Sequence, residues 1–139
     1  MNVFLPMRAG SERVPEKNTR SFAGITGGLC EIKLRQLLRC TVIDKIFVST
    51  NDTKVINISK SFGSQKIKII RRPDILASSS ASTDDLIKYV SEIMPEGHIM
   101  WTHVTSPFIK LSTIKRAAKM LSKYDSIAAI TKDFNFAWI

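Results

Sequence analysis

The sequence begins MNVFLPMRAGSERVPEKN (residues 1–18), a short apolar run that passes directly into a loop rich in turn-forming and cationic residues. The apolar residues 2–7 are bounded by this turn-rich stretch, a pattern that is typical of a buried β-strand. The loop contains neither the G-x-x-x-x-G-K-[ST] pattern of a Walker loop nor the G-x-G-x-x-G dinucleotide fingerprint. We therefore predict a first strand followed by a ligand-binding loop of another type.

The rest of the chain alternates between strand-like and helix-like patterning. Four further strands are predicted at residues 45–49, 67–70, 98–104 and 126–131. Helices are predicted at residues 29–40, between the capping positions 51–52 and 63, at 83–93 and at 111–122. Asn51 or Asp52 is expected to cap the second helix, Gly63 to end it, and Ser112 to open the fourth. Five strands alternating with four helices predict an α/β, Rossmann-like, mostly parallel sheet with helices on both faces.

The composition is that of an ordinary globular protein, with 44% hydrophobic and 24% charged residues in a chain of 139. We expect one domain over residues 1–139. No apolar run reaches the roughly 18 residues that span a bilayer, and the apolar start is too short for a signal peptide. Cys30 and Cys40 are expected to be reduced and buried. These features predict a cytoplasmic protein without a membrane partner.

The charge balance favours an anionic partner. Lys and Arg number 21 against 12 Asp and Glu, which gives a formal net charge of +9. Such a charge suits nucleic acid, a membrane surface or a phosphorylated small molecule. No signature of a nucleic-acid-binding module accompanies it, so we expect no nucleic-acid partner. His98 and His103 are the only histidines of the sequence, and no Cys/His cluster has metal-ligand spacing.

The loop after the first strand is the strongest functional signal. Parallel α/β sheets bind ligands beyond the carboxyl ends of their strands, which here are followed by residues 8–18, 49–52, 71–83 and 105–108. In the first of these loops Gly10 can take a positive φ and let backbone N–H groups approach a phosphate, while Arg8, Arg13 and Lys17 supply cations. The loop is interpreted as a triphosphate cradle. A solvated basic turn accounts for the charge pattern equally well.

Residues 5–18, LPMRAGSERVPEKN, resemble the N-terminal signature of the acylneuraminate cytidylyltransferases, or CMP-sialic acid synthetases, which is approximately [IL]-P-x-R-x-G-S-K-R-x-P-x-K-N. Later stretches resemble the successive motifs of that family in the same order. They are FAG at 22–24, FVSTND at 47–52, RPDILA at 72–77 and TSPF at 105–108. The resemblance therefore covers nearly the whole chain.

The resemblance implies a nucleotidyltransferase-like domain of the nucleotide-diphospho-sugar transferase type. Its expected reaction transfers CMP from CTP to the anomeric hydroxyl of a 2-keto-3-deoxy sugar acid such as N-acylneuraminate, with release of pyrophosphate. It also implies Mg²⁺ as cofactor, CTP and a sugar acid as partners, and a homodimer. Legionaminic, pseudaminic and 3-deoxy-octulosonic acid stay open as alternative sugar acids, because the nucleotide half does not separate them.

Carried over position by position, the resemblance assigns roles to individual residues. Its predicted catalytic residues are Arg8 and Lys17. Its predicted nucleotide-binding residues are Arg8, Ala9, Gly10, Ser11, Arg13, Lys17, Asn18, Arg72, Ala81 and Thr83. Its predicted contacts to the sugar acid are His103, Thr105 and Ser106. Within this set, Arg72 and the backbone before the helix at 83–93 are expected to donate to the acceptor atoms O2 and N3 of cytosine.

Several of these residues have plainer interpretations. Arg72, next to Pro73, can be a surface turn residue, and Thr83 can be only a helix N-cap. His103 stands where the family often has Gln, and it can equally serve in packing. Residues 78–82 can be a flexible polar loop.

Two departures from the family pattern concern the phosphates and the metal. Glu12 replaces the usual Lys, which is expected to weaken triphosphate binding unless its side chain points to solvent. The family's domain is considerably longer, so the chain is expected to lack the C-terminal half with the acidic pair for Mg²⁺ and the dimerisation arm. Asp125 and Asp133 match no metal motif, and no metal ligand is predicted. The alternative function is a non-catalytic nucleotide-binding remnant of the family.

Overall fold

A computed structural model of the protein describes residues 1–78 and 80–130. Its strands form one parallel sheet in the order β3-β2-β1-β4, which confirms the predicted parallel α/β class. The strands are β1 (Asn2–Pro6), β2 (Ile46–Thr50), β3 (Ile67–Arg71) and β4 (Ile99–Trp101). The helices are α1 (Gly28–Leu38), α2 (Thr53–Ser61), α3 (Asp74–Ala77), α4 (Thr83–Ile93) and α5 (Leu111–Met120). No helix in these two described ranges is long and apolar enough to cross a membrane.

The sheet buries both of its faces because side chains of the central strand β1 alternate between them. Val3 and Leu5 point to one face and pack in a core that includes Leu34 of α1. Phe4 points to the other face, against Val90 of α4, and is fully buried. Burial of each large apolar side chain contributes about 1.5–3 kcal/mol. Helices therefore cover both faces, as the sequence predicted.

The helix ends follow local chemistry, with two corrections. The Asp52 side chain accepts from the Lys54 N–H at 2.8 Å and caps α2, and Gly63 follows that helix with φ of 58°, both as predicted. Ser82, rather than Thr83, caps α4 by accepting a backbone N–H, so the N-cap interpretation of Thr83 is wrong. The prediction that Ser112 opens α5 is also wrong. That helix begins one residue earlier, because backbone N–H groups of its first turn already bond to the carbonyl before Leu111.

The fourth strand is shorter than the predicted 98–104. Thr102 N–H donates to Phe4 O at 3.2 Å as the chain leaves β4. The next bond of this parallel ladder requires an N–H from Pro6, and proline has none. Pro6 therefore ends the pairing between β1 and β4, and residues 103–104 are free to turn toward the carboxyl ends of the strands.

The predicted fifth strand at 126–131 is wrong where the structure describes it. Residues 126–130 are exposed and pair with no strand, and residue 131 lies outside the described residues. A strand is stable only when its N–H and C=O groups are paired and one face is covered, and neither holds here. The short helix α3 was not predicted, since four residues are too few to show a helical period.

The turn into α1 depends on one glycine. Gly28 has φ of 56°, and a Cβ at this position would lie 2.0 Å from the carbonyl oxygen of Arg20. Only glycine allows both the left-handed backbone and this close approach. Cys30, which follows in α1, and Cys40 after the helix are both buried and free, as predicted.

Candidate functional site

A cleft of about 400 Å³ lies at the carboxyl ends of the parallel strands. Three segments form it, namely the loop after β1, the stretch from the end of β3 into α4, and the segment after β4. Most of the predicted site residues line this cleft. They are Arg8, Ser11, Arg13, Lys17, Asn18, Arg72, Ala81, Thr83, His103 and Thr105.

Three predicted residues do not line this cleft. Ala9 and Gly10 border a neighbouring depression on the outer side of the same loop, beside Asn51. Ser106 lies beyond the wall of the cleft, with its carbonyl accepting from Lys33 Nζ at 2.6 Å. The cleft also contains residues that the sequence did not single out, including Leu76 and Leu86, which give it an apolar side.

The loop after β1 is held by one of its own side chains and by one from the loop after β2. Asn18 Nδ2 donates to Arg8 O at 3.0 Å, and Ala9 N–H donates to Asn51 Oδ1 at 2.9 Å. Gly10 has φ of 72°, the positive value that the sequence predicted. Asn18 is buried, so its amide orients the loop from within. The backbone of the loop is therefore preorganised before any ligand binds.

The loop brings cations and one carboxylate to the same cleft. Arg8, Arg13 and Lys17 all line it, and Arg8 Nη1 also donates to Ala77 O at 3.2 Å, which joins the loop to α3. Glu12 is exposed and is the one acidic side chain among the residues lining this cleft. The cations outnumber the carboxylate, so the cleft attracts anions.

Arg72 is a buried cation at the edge of the cleft. It is 4% exposed, and its Nε has no hydrogen-bond partner within the described residues. The surface-turn interpretation of Arg72 is therefore wrong, because its side chain is buried where its backbone N–H, donating to Thr50 O, continues the pairing of β3 with β2. Burial lowers the pKa of Arg72 below its usual range, and the nearby Arg8 lowers it further. An unpaired buried guanidinium N–H is a ready donor for a ligand acceptor.

His103 lies on the other side of the cleft, after β4. Its ring centroid is 6.4 Å from that of Trp101, which in turn packs edge to face on Phe4 at 4.9 Å. Partial desolvation lowers the pKa of His103 below 6.5, and the charges of Lys17 and Lys33 lower it further. All three effects favour the neutral imidazole, which offers one donor and one acceptor to a ligand.

Lys33 was missed by sequence reasoning. It is fully buried on α1, and burial lowers its pKa from 10.5 to about 8. The signal was present in the helical period, since Lys33 falls within the buried stripe of Cys30, Leu34 and Leu37. A cation in such a stripe is unusual enough to single out from sequence alone.

Acidic side chains are sparse around the cleft in the part of the chain that the structure describes. No group of three or more His, Cys, Asp or Glu side chains that could hold a metal occurs within residues 1–78 and 80–130. Glu12 contributes a single carboxylate to the cleft, and Asp125 is exposed beyond α5. Asp133 lies outside the described residues.

This parallel sheet, with a cation-lined cleft at the carboxyl ends of its strands, defines the Rossmann-like nucleotidyltransferase fold. The family model described as "Cytidylyltransferase" matches residues 3–135. The chain belongs to the cytidylyltransferase family, which confirms the resemblance seen in the signature loop.

Relatives with described activities align over most of this chain at low identity. N-acylneuraminate cytidylyltransferase A of Danio rerio is 26% identical over 140 residues, which cover 99% of this chain and 32% of the relative. Pseudaminic acid cytidylyltransferase of Campylobacter jejuni is 26% identical, over an alignment that covers 82% of this chain and 50% of the relative. CMP-N,N'-diacetyllegionaminic acid synthase of Legionella pneumophila is 28% identical, over an alignment that covers 84% of this chain and 50% of the relative. The chain thus spans half or less of the length of these relatives.

Solved structures share the fold. A CMP:2-keto-3-deoxy-manno-octonic acid synthetase complexed with CTP superposes with a TM-score of 0.65 at 19% identity, covering 87% of this chain and 47% of that one. A cytidylyltransferase from Leptospira borgpetersenii superposes with a TM-score of 0.66 at 20% identity, covering 88% of this chain and 49% of the other. At these identities the likeness establishes the architecture of the sheet and helices.

Proposed function

We propose that the complete protein transfers CMP from CTP to the anomeric hydroxyl of a 2-keto-3-deoxy sugar acid, such as N-acylneuraminate, and releases pyrophosphate. The observation that carries the proposal is the meeting of the signature-loop cations with the buried Arg72 around one cleft. Membership of the cytidylyltransferase family supports the nucleotide. The names of the relatives, which specify N-acylneuraminate, pseudaminic acid and legionaminic acid, support a sugar acid as acceptor class.

The loop after β1 is the proposed triphosphate site. In-line attack on the α-phosphorus moves negative charge toward the leaving pyrophosphate, and preorganised cations stabilise that charge. Arg8 and Lys17 are the proposed catalytic residues, because both line the cleft on this loop. The remaining proposed phosphate contacts and loop-orienting residues are Ala9, Gly10, Ser11, Arg13 and Asn18.

The buried end of the cleft is the proposed cytosine site. Cytosine presents O2 and N3 as acceptors, and Arg72 has an unpaired buried donor. Ala81 and Thr83 line the same region where α4 begins, and the free N–H groups of a helix start add further donors. A purine base is larger and presents a different order of donors and acceptors. We therefore expect CTP to be preferred over ATP and GTP.

The wall after β4 is the proposed sugar-acid site. The neutral imidazole of His103 and the hydroxyl of Thr105 can both donate to and accept from sugar hydroxyls. Ser106 remains a prediction as a sugar-acid contact. A Mg²⁺ requirement and a homodimer are proposed from the resemblance. A cytoplasmic location and a single nucleotidyltransferase-like domain over residues 1–139 remain predictions from length and composition.

A second candidate function is a nucleotide-binding protein of this family without turnover. Glu12 favours it, because its carboxylate, although exposed, lines the cleft and its charge opposes the approach of a triphosphate. The two candidates differ in one measurable step. Both bind CTP, and only the first releases pyrophosphate when a 2-keto sugar acid is added.

The test is calorimetric titration of the protein with CTP, ATP and GTP in the presence of Mg²⁺. CTP is expected to bind most tightly, and equal affinity for purine nucleotides would contradict the cytosine assignment.

Arg8→Ala and Lys17→Ala each remove a charge-assisted contact of about 1.5–3 kcal/mol, so CTP affinity is expected to fall by roughly tenfold to a hundredfold. The matched control is Lys119→Ala, an exposed lysine of α5 outside the cleft. Unchanged affinity in both loop variants, with circular dichroism intact, would refute the phosphate site.

Turnover is measured as pyrophosphate release from CTP with N-acylneuraminate, pseudaminic, legionaminic or 3-deoxy-octulosonic acid as acceptor. Release that depends on one of these acids supports the transferase. CTP binding without release would favour the non-catalytic alternative.

A further inference from the structure

Lys33 is a buried cation for which packing alone does not account. Its side chain is fully inaccessible, and it forms no ion pair with any residue in the described part of the chain. A buried ammonium group bears a desolvation cost of several kcal/mol, whereas a methionine would fill the same space without it. The role of Lys33 is therefore indicated by its hydrogen bonds.

These bonds reach a distant part of the chain. Lys33 Nζ donates to Ser106 O at 2.6 Å and to Gln36 Oε1 at 2.8 Å. Gln36, one turn further along α1, donates from Nε2 to Pro107 O at 3.2 Å and to Ile109 O at 2.6 Å. Two side chains of one helix thus hold three carbonyl groups within four consecutive residues, 71 to 73 positions away in sequence.

The segment held in this way continues directly into the wall of the cleft. Residues 102–110 form neither helix nor strand, so no regular backbone ladder fixes their position. Ser106 N–H donates to His103 O at 3.3 Å, which ties the held carbonyls to the residue lining the cleft. Val104, between them, is buried in the same core as α1. Displacement of the segment from α1 would therefore displace His103 and Thr105.

We propose that Lys33 and Gln36 are positioning residues that hold residues 103–109 against α1 and thereby set the geometry of the sugar-acid side of the cleft. The assignment of that side to a sugar acid rests on the proposed function. The hold on the segment itself does not, because it follows from the hydrogen bonds alone.

The first test separates positioning from folding. Gln36→Glu keeps the volume and the acceptor for Lys33 but removes both donors to the segment, and Lys33→Met removes the other donor. Arg35→Met is the matched control on the exposed face of α1. Because small misplacements of reacting groups are costly, we expect the KM for the sugar acid to rise by about tenfold or more in both test variants. The Kd for CTP is expected to stay within about twofold of the wild-type value, since no bond from this pair reaches the loop after β1.

The outcomes distinguish this inference from the proposed function. An unchanged sugar-acid KM in Gln36→Glu, or equal losses for CTP and sugar acid, would overturn the positioning role. If the wild-type protein transfers nothing to any sugar acid, the proposed function fails, and hydrogen exchange then decides the inference. Faster amide exchange confined to residues 103–109 in Gln36→Glu, and absent in Arg35→Met, supports the hold, and unchanged exchange there refutes it. Gln36→Glu carries the test if Lys33→Met does not fold.

Discussion

The buried lysine of α1 makes the stability of the fold depend on pH in a defined direction. Burial lowers the pKa of Lys33 from 10.5 to about 8, whereas the unfolded chain keeps the ordinary value. Below pH 8 the side chain is charged in both states, and folding bears the cost of desolvating it. Between the two pKa values the folded state has lost the proton that the unfolded state still binds. Stability from this group therefore rises with pH across that interval and becomes constant above it.

The size of the effect follows from the separation of the two pKa values. Each pH unit between the two pKa values changes the free energy of unfolding by about 1.4 kcal/mol. Because pH 7.5 lies below the folded-state pKa of about 8, the total change from pH 7.5 to pH 9.5 is about 2 kcal/mol. Other groups titrate in the same range. Comparison with Lys33→Met removes their contribution, because they are common to both proteins.

The assay is urea denaturation of the wild type, Lys33→Met and the exposed-lysine control Lys119→Met at pH 7.5 and pH 9.5. The wild type is expected to gain about 2 kcal/mol relative to Lys33→Met over this range, and Lys119→Met is expected to follow the wild type. Parallel pH dependence in the wild type and Lys33→Met would show that Lys33 titrates as an exposed lysine. The reasoning from its burial would then be wrong.

Three further predictions concern the turn into α1, the thiol of that helix and the cap of α2. Gly28→Ala is expected to lower the free energy of unfolding by more than about 2 kcal/mol in urea denaturation, because its Cβ would meet the Arg20 carbonyl and its φ is positive. Gly63→Ala, also at positive φ but with open space around it, is the control and should cost about 1 kcal/mol. Burial raises the pKa of Cys30 to about 12, so a disulfide reagent at pH 8 should modify it only as fast as the protein unfolds, and rapid reaction in the folded state would contradict its burial. Asp52→Ala removes the cap of α2 and is expected to cost about 0.5–2 kcal/mol, whereas unchanged stability would show that the cap bond is replaced by water.

The candidate site was more predictable from the sequence than the end of the sheet. Within the loop after β1, Gly10 takes the positive φ that the sequence predicted, and Asn18 donates to the carbonyl of Arg8, ten positions away. The predicted strand at 126–131 had the apolar pattern of a strand, yet residues 126–130 lie exposed and pair with none of the strands that the structure describes. The periodicity of apolar residues indicates that a segment can form a strand with one buried face. It carries no information on whether that segment pairs with another strand in the folded protein.

The sequence by itself determined β1 to β4, the four longer helices, the cap at Asp52 and the glycine that follows α2, because each depends on residues within a turn or two of one another. Only the tertiary structure decided that Pro6 ends the pairing between β1 and β4. It alone buried Arg72 at the edge of the cleft and brought Lys33 to the carbonyl of Ser106. These features depend on groups that are distant in sequence, and their energies come from desolvation and hydrogen bonding that exist only after the chain has packed.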